Sequence, residues 1–326
     1  MDPTNALIAA APAPLVAPDD LRAKAGEYLR RAKAEATLRA YRTDWLDFLT
    51  WCREAGRDPL PAGAETVVLY LTARSEALKV ATLQRRLSAI SQAHQSKGYD
   101  SPTRSLAVRA VWAGIRRTLG VAQHQVAAAV TEDIRRMVES LDETAAGVRD
   151  RALILVGFAG AFRRSELVSL DRADVEISRD GLVIQLRKSK TDQEGQGVEK
   201  GIPYGANPDT CPVRALEDWA ELLDGLGYRD GPLFRAVNRY GNVSAARLSD
   251  RSVALIVKRL AAAAGLDADR YSGHSLRAGF ATSAGARGVE ERHIMAQTGH
   301  KSERMVRRYI RRGGLFRHNA AGQVGL

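Results

Sequence analysis

The sequence predicts a mainly α-helical protein with one small β-sheet, divided into two domains. At 326 residues the chain exceeds the ~100–200 residues typical of one compact domain. It is 45% hydrophobic but only 6% aromatic, and its abundance of Ala, Leu and Arg favours packed helices. Apolar residues recur at steps of three and four along most of its length, and strand-like segments are confined to the stretch between Val175 and Pro203.

The first eighteen residues are Ala- and Pro-rich, without a basic start, and are expected to be a disordered arm. Asp19 and Asp20 then open a helix towards Lys33, and a second runs from about Thr37 to Glu54. Its Leu38, Tyr41, Trp45, Phe48 and Cys52 share one face, expected to be core. Gly56, Pro59 and Pro61 end it, and helices follow at about Ala64–Ser75, Val80–Lys97 and Ser105–Leu119. Within the helix at Val80–Lys97, Leu83, Leu87 and Ile90 are expected to point inward, while Arg85 and Arg86 are expected to project away. Such a face suits phosphates or a major groove, and equally a solvated basic surface.

Residues 121–130 have no periodicity and read as a linker, so the first domain is placed at 19–120 and the second at 131–326. Thr131, Glu132 and Asp133 form a fresh helix start. Helices are expected at about Glu132–Leu141, Gly147–Ala161 and Arg164–Leu170, then strands at Val175–Ile177, Leu182–Leu186 and Val198–Pro203. Beyond Pro212 the pattern is helical again: about Val213–Leu223, Ser249–Ala264, Ser275–Arg287, Glu290–Gln297 and Ser302–Ile310. The tail from Gly313 is too short for a core of its own.

Forty-nine Lys and Arg against 38 Asp and Glu give a formal charge of +11, which points to a polyanionic partner. Cys52 and Cys211 are far apart and in no metal-binding pattern, so neither a disulfide framework nor a metal site is expected. The chain reads as cytoplasmic, with no segment suited to a membrane. It carries no Walker loop, HExxH or GxSxG motif, and nucleotide- or metal-driven chemistry loses ground accordingly.

Three segments could instead grip a phosphodiester. In Gly160-Ala161-Phe162-Arg163-Arg164-Ser165-Glu166, Arg163 stands at a junction between helices, and Glu166 is placed to hold its guanidinium. In Ser272-Gly273-His274-Ser275-Leu276-Arg277, His274 and Arg277 fall on one side of a helical turn. Thr298-Gly299-His300 is followed nine residues later by Tyr309, flanked by Arg307, Arg308, Arg311 and Arg312, a setting that would favour phosphate binding and ease phenolate formation. Each segment alone fits an ion pair, a cap or a packing residue as well.

Taken jointly and in this order, Arg163, His274 with Arg277, His300 and Tyr309 resemble the signature of the tyrosine site-specific recombinase and phage integrase family, in particular its Cre-like members. The resemblance extends over nearly the whole chain from about Asp19. It implies a SAM-like helical core-binding domain followed by a mixed α/β catalytic domain. It also implies a lysine on a hairpin turn, for which Lys190 in Arg187-Lys188-Ser189-Lys190-Thr191 is chosen, with Lys188 as fallback. The sequence departs from the family in having Ala278 after the second Arg, where many members have His, and His300 where Cre-like members have Trp.

By this resemblance, Tyr309 attacks a DNA phosphate to give a 3′-phosphotyrosine, and Arg163, Arg277 and His300 hold the phosphate oxygens. Lys190 protonates the leaving 5′ oxygen, and His274 assists proton transfer from Tyr309. No cofactor is implied. The implied partner is double-stranded DNA carrying an inverted-repeat site, bound by a homotetramer in which the tail around Leu315 and Phe316 docks on a neighbour. Arg39, Thr82 and Arg85 of the first domain and Arg251 and Arg270 of the second would face the DNA. The setting implied is prokaryotic, phage or plasmid, at the nucleoid. The alternatives are a topoisomerase IB or telomere-resolvase activity, and a catalytically silent DNA-binding protein with the same fold.

Overall fold

The first long helix, α1, spans Glu35–Glu54, where Trp45, Phe48 and Cys52 recur at steps of three and four and turn one face inward. The computed structural model describes residues 20–21, 23–24, 28, 34–120, 126–187 and 197–313. The expected disordered arm, Lys188, Lys190, Leu315 and Phe316 lie outside the described residues. The chain divides into two compact units, residues 1–123 and 124–326.

In the first unit α1 packs with α2 (Ala64–Ser75), α3 (Val80–Ser96) and α4 (Leu106–Leu119). Ser105 caps α4, its Oγ accepting the Val108 N–H. Phe48, Cys52, Tyr70, Leu71, Leu83, Leu87, Ile90 and Val108 close the core. Leu38, expected in the same stripe, is exposed, because the stripe meets its partner helices only over its C-terminal half.

The expectation for Arg86 is overturned. Its side chain is only 11% exposed and turns inward to pair with Asp44 and Asp47 and to donate to the Tyr70 hydroxyl. Two carboxylates on α1, one of them on buried Asp44, attract it more strongly than solvent does. Arg85 forks onto the same Asp44 at 2.6 and 3.0 Å.

The second unit opens with α5 (Thr131–Glu139) and α6 (Ala145–Ala159). Helix α6 carries Arg149, Asp150 and Arg151 near its start and is apolar from Ala152 onward, where every residue to Gly157 is buried, which suits its position through the centre of the core. Short α7 (Arg164–Ser169) follows, then an antiparallel sheet of β1 (Val175–Ser178), β2 (Gly181–Leu186) and β3 (Val198–Pro203) in that spatial order. Strand β2 alternates as a half-buried strand should, with Leu182, Ile184 and Leu186 inward. Its register pairs Leu182 with Ile202 and Ile184 with Lys200, so a lysine occupies an inward position of β3.

After α8 (Pro212–Gly225) the chain forms a hairpin of β4 (Arg235–Val237) and β5 (Val243–Arg247), where the sequence predicts none. Its strands are short and β5 is largely exposed, so no alternation of apolar and polar residues marks it. Four helices follow among the described residues: α9 (Asp250–Ala263), α10 (His274–Ala286), α11 (Glu291–Thr298) and α12 (Glu303–Gly313).

Small residues on α10 let its neighbours approach. A Cβ on Gly279 would stand 1.8 Å from the Ala129 carbonyl oxygen, so the segment entering α5 lies directly against this helix. The Ala129 N–H donates to the Ser275 carbonyl there, at 3.0 Å. On α12, Val306 is fully buried, and Tyr309 and Ile310 pack with it against Ala281 and Ile294.

Candidate active site

The turn leaving α6 carries the first candidate side chain. Ala161 has a left-handed backbone, φ 48°, a strained conformation for a residue with a Cβ. This turn delivers Arg163 to the start of α7, where Glu166 holds it twice. Oε2 accepts the Arg163 N–H at 2.9 Å, and Oε1 accepts from Nη1 at 2.5 Å. Glu166 is itself buried, so the ion pair expected from the sequence is an orienting contact beneath the site.

Helix α10 contributes the next two side chains from its first turn, as their spacing requires. Arg277 is 1% exposed; its Nη1 donates to the Ala161 carbonyl at 2.8 Å, and its Nη2 has no hydrogen-bond partner. Burial pushes its pKa down to about 10, with the Arg163 charge acting in the same direction, and it remains a cation at neutral pH. A buried guanidinium with an unmet donor, beside a second arginine, is a site built for an anion.

His274 Nε2 lies 3.1 Å from the Tyr309 hydroxyl. Partial withdrawal from solvent, then the charges of Arg277 and Arg163, hold the His274 pKa below the ordinary histidine value. The ring is therefore neutral at neutral pH and able to accept the phenolic proton. Both partners belong to one chain, with α12 carrying Tyr309 against α10.

His300 follows α11, which ends at left-handed Gly299. Its ring centroid lies 6.0 Å from that of Tyr309, and its Nδ1 lies 2.8 Å from the Thr298 hydroxyl oxygen. That hydroxyl donates to the Ile294 carbonyl at 2.6 Å, so it accepts from His300, which fixes the proton of the neutral ring on Nδ1. Burial, then the charges of Arg277 and Arg163, push the His300 pKa down to about 4.

The fold gathers Arg163, Glu166, His274, Arg277, His300 and Tyr309 at one place. Lys190 falls outside the described residues. Of the residues expected to face DNA, Arg251 and Arg270 are exposed, at the start of α9 and on the turn before α10. Arg39 is exposed on α1 beside Glu35, Thr82 is half-buried on α3, and Arg85 is held by Asp44.

Sequence reasoning missed Lys200 and Gln297. Lys200 is 5% exposed on β3, and its Nζ donates to the Gly160 and Gln297 carbonyls. Gln297 Nε2 donates to the carbonyls of Ala159 and Gly201. The signal available was the inward phase of Lys200, two residues from Ile202 on a strand of period two.

The Phage integrase family model matches residues 130–313, and that of the phage integrase N-terminal SAM-like domain matches residues 26–97. The integrase/recombinase xerD homolog of Selenomonas ruminantium is 42% identical over 93% of this chain and 89% of its own length. Recombinase cre of Escherichia phage P1 is 27% identical over 86% of this chain and 85% of its own. Among solved structures, a lambda integrase tetramer bound to a Holliday junction superposes with a TM-score of 0.58 at 16% identity, covering 90% of this chain and 77% of that one. With the family models covering both units, this chain belongs to the phage integrase family of tyrosine recombinases.

Proposed function

We propose that this protein is a site-specific DNA recombinase that cuts and rejoins DNA through Tyr309. The observation that carries the reading is the Tyr309 hydroxyl, 3.1 Å from His274, beside the buried and incompletely bonded guanidinium of Arg277. A scissile phosphate bridging Arg163 and Arg277 supplies the missing acceptor. The Tyr309 oxygen attacks phosphorus, its proton passes to His274, and the bond to the 5′ oxygen breaks. Lys190 gives that oxygen a proton, and the product is a 3′-phosphotyrosine with a free 5′ hydroxyl.

The phosphotyrosine conserves the energy of the broken ester, so a 5′ hydroxyl from a partner strand can attack it and release Tyr309. Exchange of two strands at each of two inverted-repeat sites calls for four subunits, a homotetramer on DNA, in the cytoplasm at the nucleoid. Arg39, Thr82 and Arg85 contact the duplex from the N-terminal unit, Arg85 oriented by Asp44. Arg251 and Arg270 contact it from the catalytic unit.

The test is incubation with a suicide duplex carrying the repeats that flank the protein's own gene, beside a Tyr309→Phe control. A denaturant-stable protein–DNA adduct that is absent from the control is expected. Tight binding to the duplex without an adduct would move the reading to a silent DNA-binding protein, and relaxation of supercoils without strand exchange to a topoisomerase.

A further inference from the structure

Lys200 is a buried cation that the tyrosine chemistry above does not use. An inward lysine on a strand is costly unless its donors are met, and here they meet the ends of two helices. The Nζ donates to the carbonyl of Gly160, which caps α6, at 2.7 Å, and to that of Gln297, in the last turn of α11, at 2.5 Å. Helix C-terminal carbonyls lack partners within their own helices and sit at the negative end of the helix dipole. One ammonium therefore caps both ends at once, and it also lies over the Phe162 ring, 4.8 Å from its centroid.

The two capped ends lead straight into the site. Three residues beyond Gly160 stands Arg163, and three beyond Gln297 stands His300. Gln297 ties the same elements a second time, its Nε2 donating to Ala159 of α6 and Gly201 of β3 at 2.9 and 3.2 Å. Strand β3 thus serves as a shared post for two segments that approach the phosphate from different helices.

We propose that Lys200 is a positioning residue: by clamping the C-terminal ends of α6 and α11 to β3, it holds Arg163 and His300 at the spacing needed to grip one phosphate. The inference rests on the recombinase reading above. Burial pushes the Lys200 pKa down to about 8, as expected of an ammonium drawn into the protein, and a bound phosphate nearby favours its charged form.

The experiment uses the full chain and the suicide duplex, comparing wild type, Lys200→Met and Lys200→Gln. Adduct formation is timed at saturating DNA, DNA affinity is measured separately, and thermal unfolding identifies folded variants. Lys200→Met keeps the aliphatic stem over Phe162 and removes both hydrogen bonds. It is expected to slow adduct formation ten- to a hundredfold at saturating DNA while affinity changes less than threefold. Lys200→Gln, which retains N–H donors, is expected to be intermediate, and it carries the test if the Met variant does not fold.

Positioning is separated from bulk stability by repeating the substitution in a His300→Ala background, where the fold-loss should shrink at least threefold. An equal loss in both backgrounds, an unchanged rate at saturating DNA, or a loss that appears only in affinity overturns the inference. Absence of adduct from the wild type overturns the recombinase reading, and this inference with it; a wild-type adduct with unaltered folded variants overturns this inference alone.

Discussion

Gly285 of α10 lies so close beneath Ile310 of α12 that a Cβ on it would stand 2.8 Å from the Ile310 Cα. The helix that bears Tyr309 is therefore seated one residue from the proposed nucleophile, backbone against backbone. Gly285→Ala must push α12 outward and open the 3.1 Å approach of Tyr309 to His274. Adduct formation is expected to fall at least tenfold at saturating DNA, with duplex affinity within threefold of wild type, because positioning errors of ~1 Å cost up to about a hundredfold in rate. Unchanged adduct kinetics would show that α12 is not held at this contact.

The depressed pKa of His274 sets the sign of one pH effect. As the base for Tyr309 it must be neutral, so the rate of adduct formation should rise with pH through its pKa and level off above it. Since burial and then Arg277 and Arg163 lower that pKa in the free protein, the acid limb of the rate at subsaturating DNA should lie below pH 6.5, the ordinary histidine value. His274→Gln should lose rate and also the limb. Single-turnover rates across pH 5 to about 8 distinguish the cases, and a limb that persists in the Gln variant would assign it to another group.

Most of this fold is legible in the sequence because long helices with three-four stripes declare themselves, and α2, α3 and β3 begin where the pattern begins. The arginines, histidines and tyrosine of the candidate site are legible only jointly, as an ordered set; singly each resembles a cap or an ion pair. Lys200 and Arg86 were not legible, for a common reason. Each is a long cation that reads as solvated, and its burial depends on acceptors distant in sequence: helix-end carbonyls for Lys200, the α1 carboxylates for Arg86. The β4–β5 hairpin left no pattern because an exposed strand such as β5 needs none.

Glu166 is buried and gives both carboxylate oxygens to Arg163. Removing one partner from a buried pair costs about 3–5 kcal/mol in typical cases, and the partial exposure of Arg163 places Glu166→Gln at or below the lower end. The Gln variant keeps one acceptor for the Arg163 N–H but no charge for its guanidinium. A lower melting temperature is expected, together with slower adduct formation at saturating DNA. A variant with wild-type kinetics and only reduced stability would confine Glu166 to a structural role.

His300 is the residue whose chemistry must change most when DNA binds. In the free protein its pKa is about 4 and its proton sits on Nδ1, given to Thr298, which leaves Nε2 as an acceptor. A phosphate oxygen needs a donor, so engaging Nε2 requires a second proton, and the phosphate in turn raises the pKa of the ring. The complex then binds more protons than the free protein, and by linkage affinity for the cognate duplex should strengthen as pH falls. The effect should begin above pH 4 and end at the higher pKa of the bound state. His300→Trp supplies a fixed N–H that does not titrate, and should bind with a flatter pH dependence while still forming adduct. Equal pH slopes for wild type and the Trp variant would mean that the Thr298 hydroxyl turns over on binding and that His300 shifts its single proton to Nε2 without taking up another.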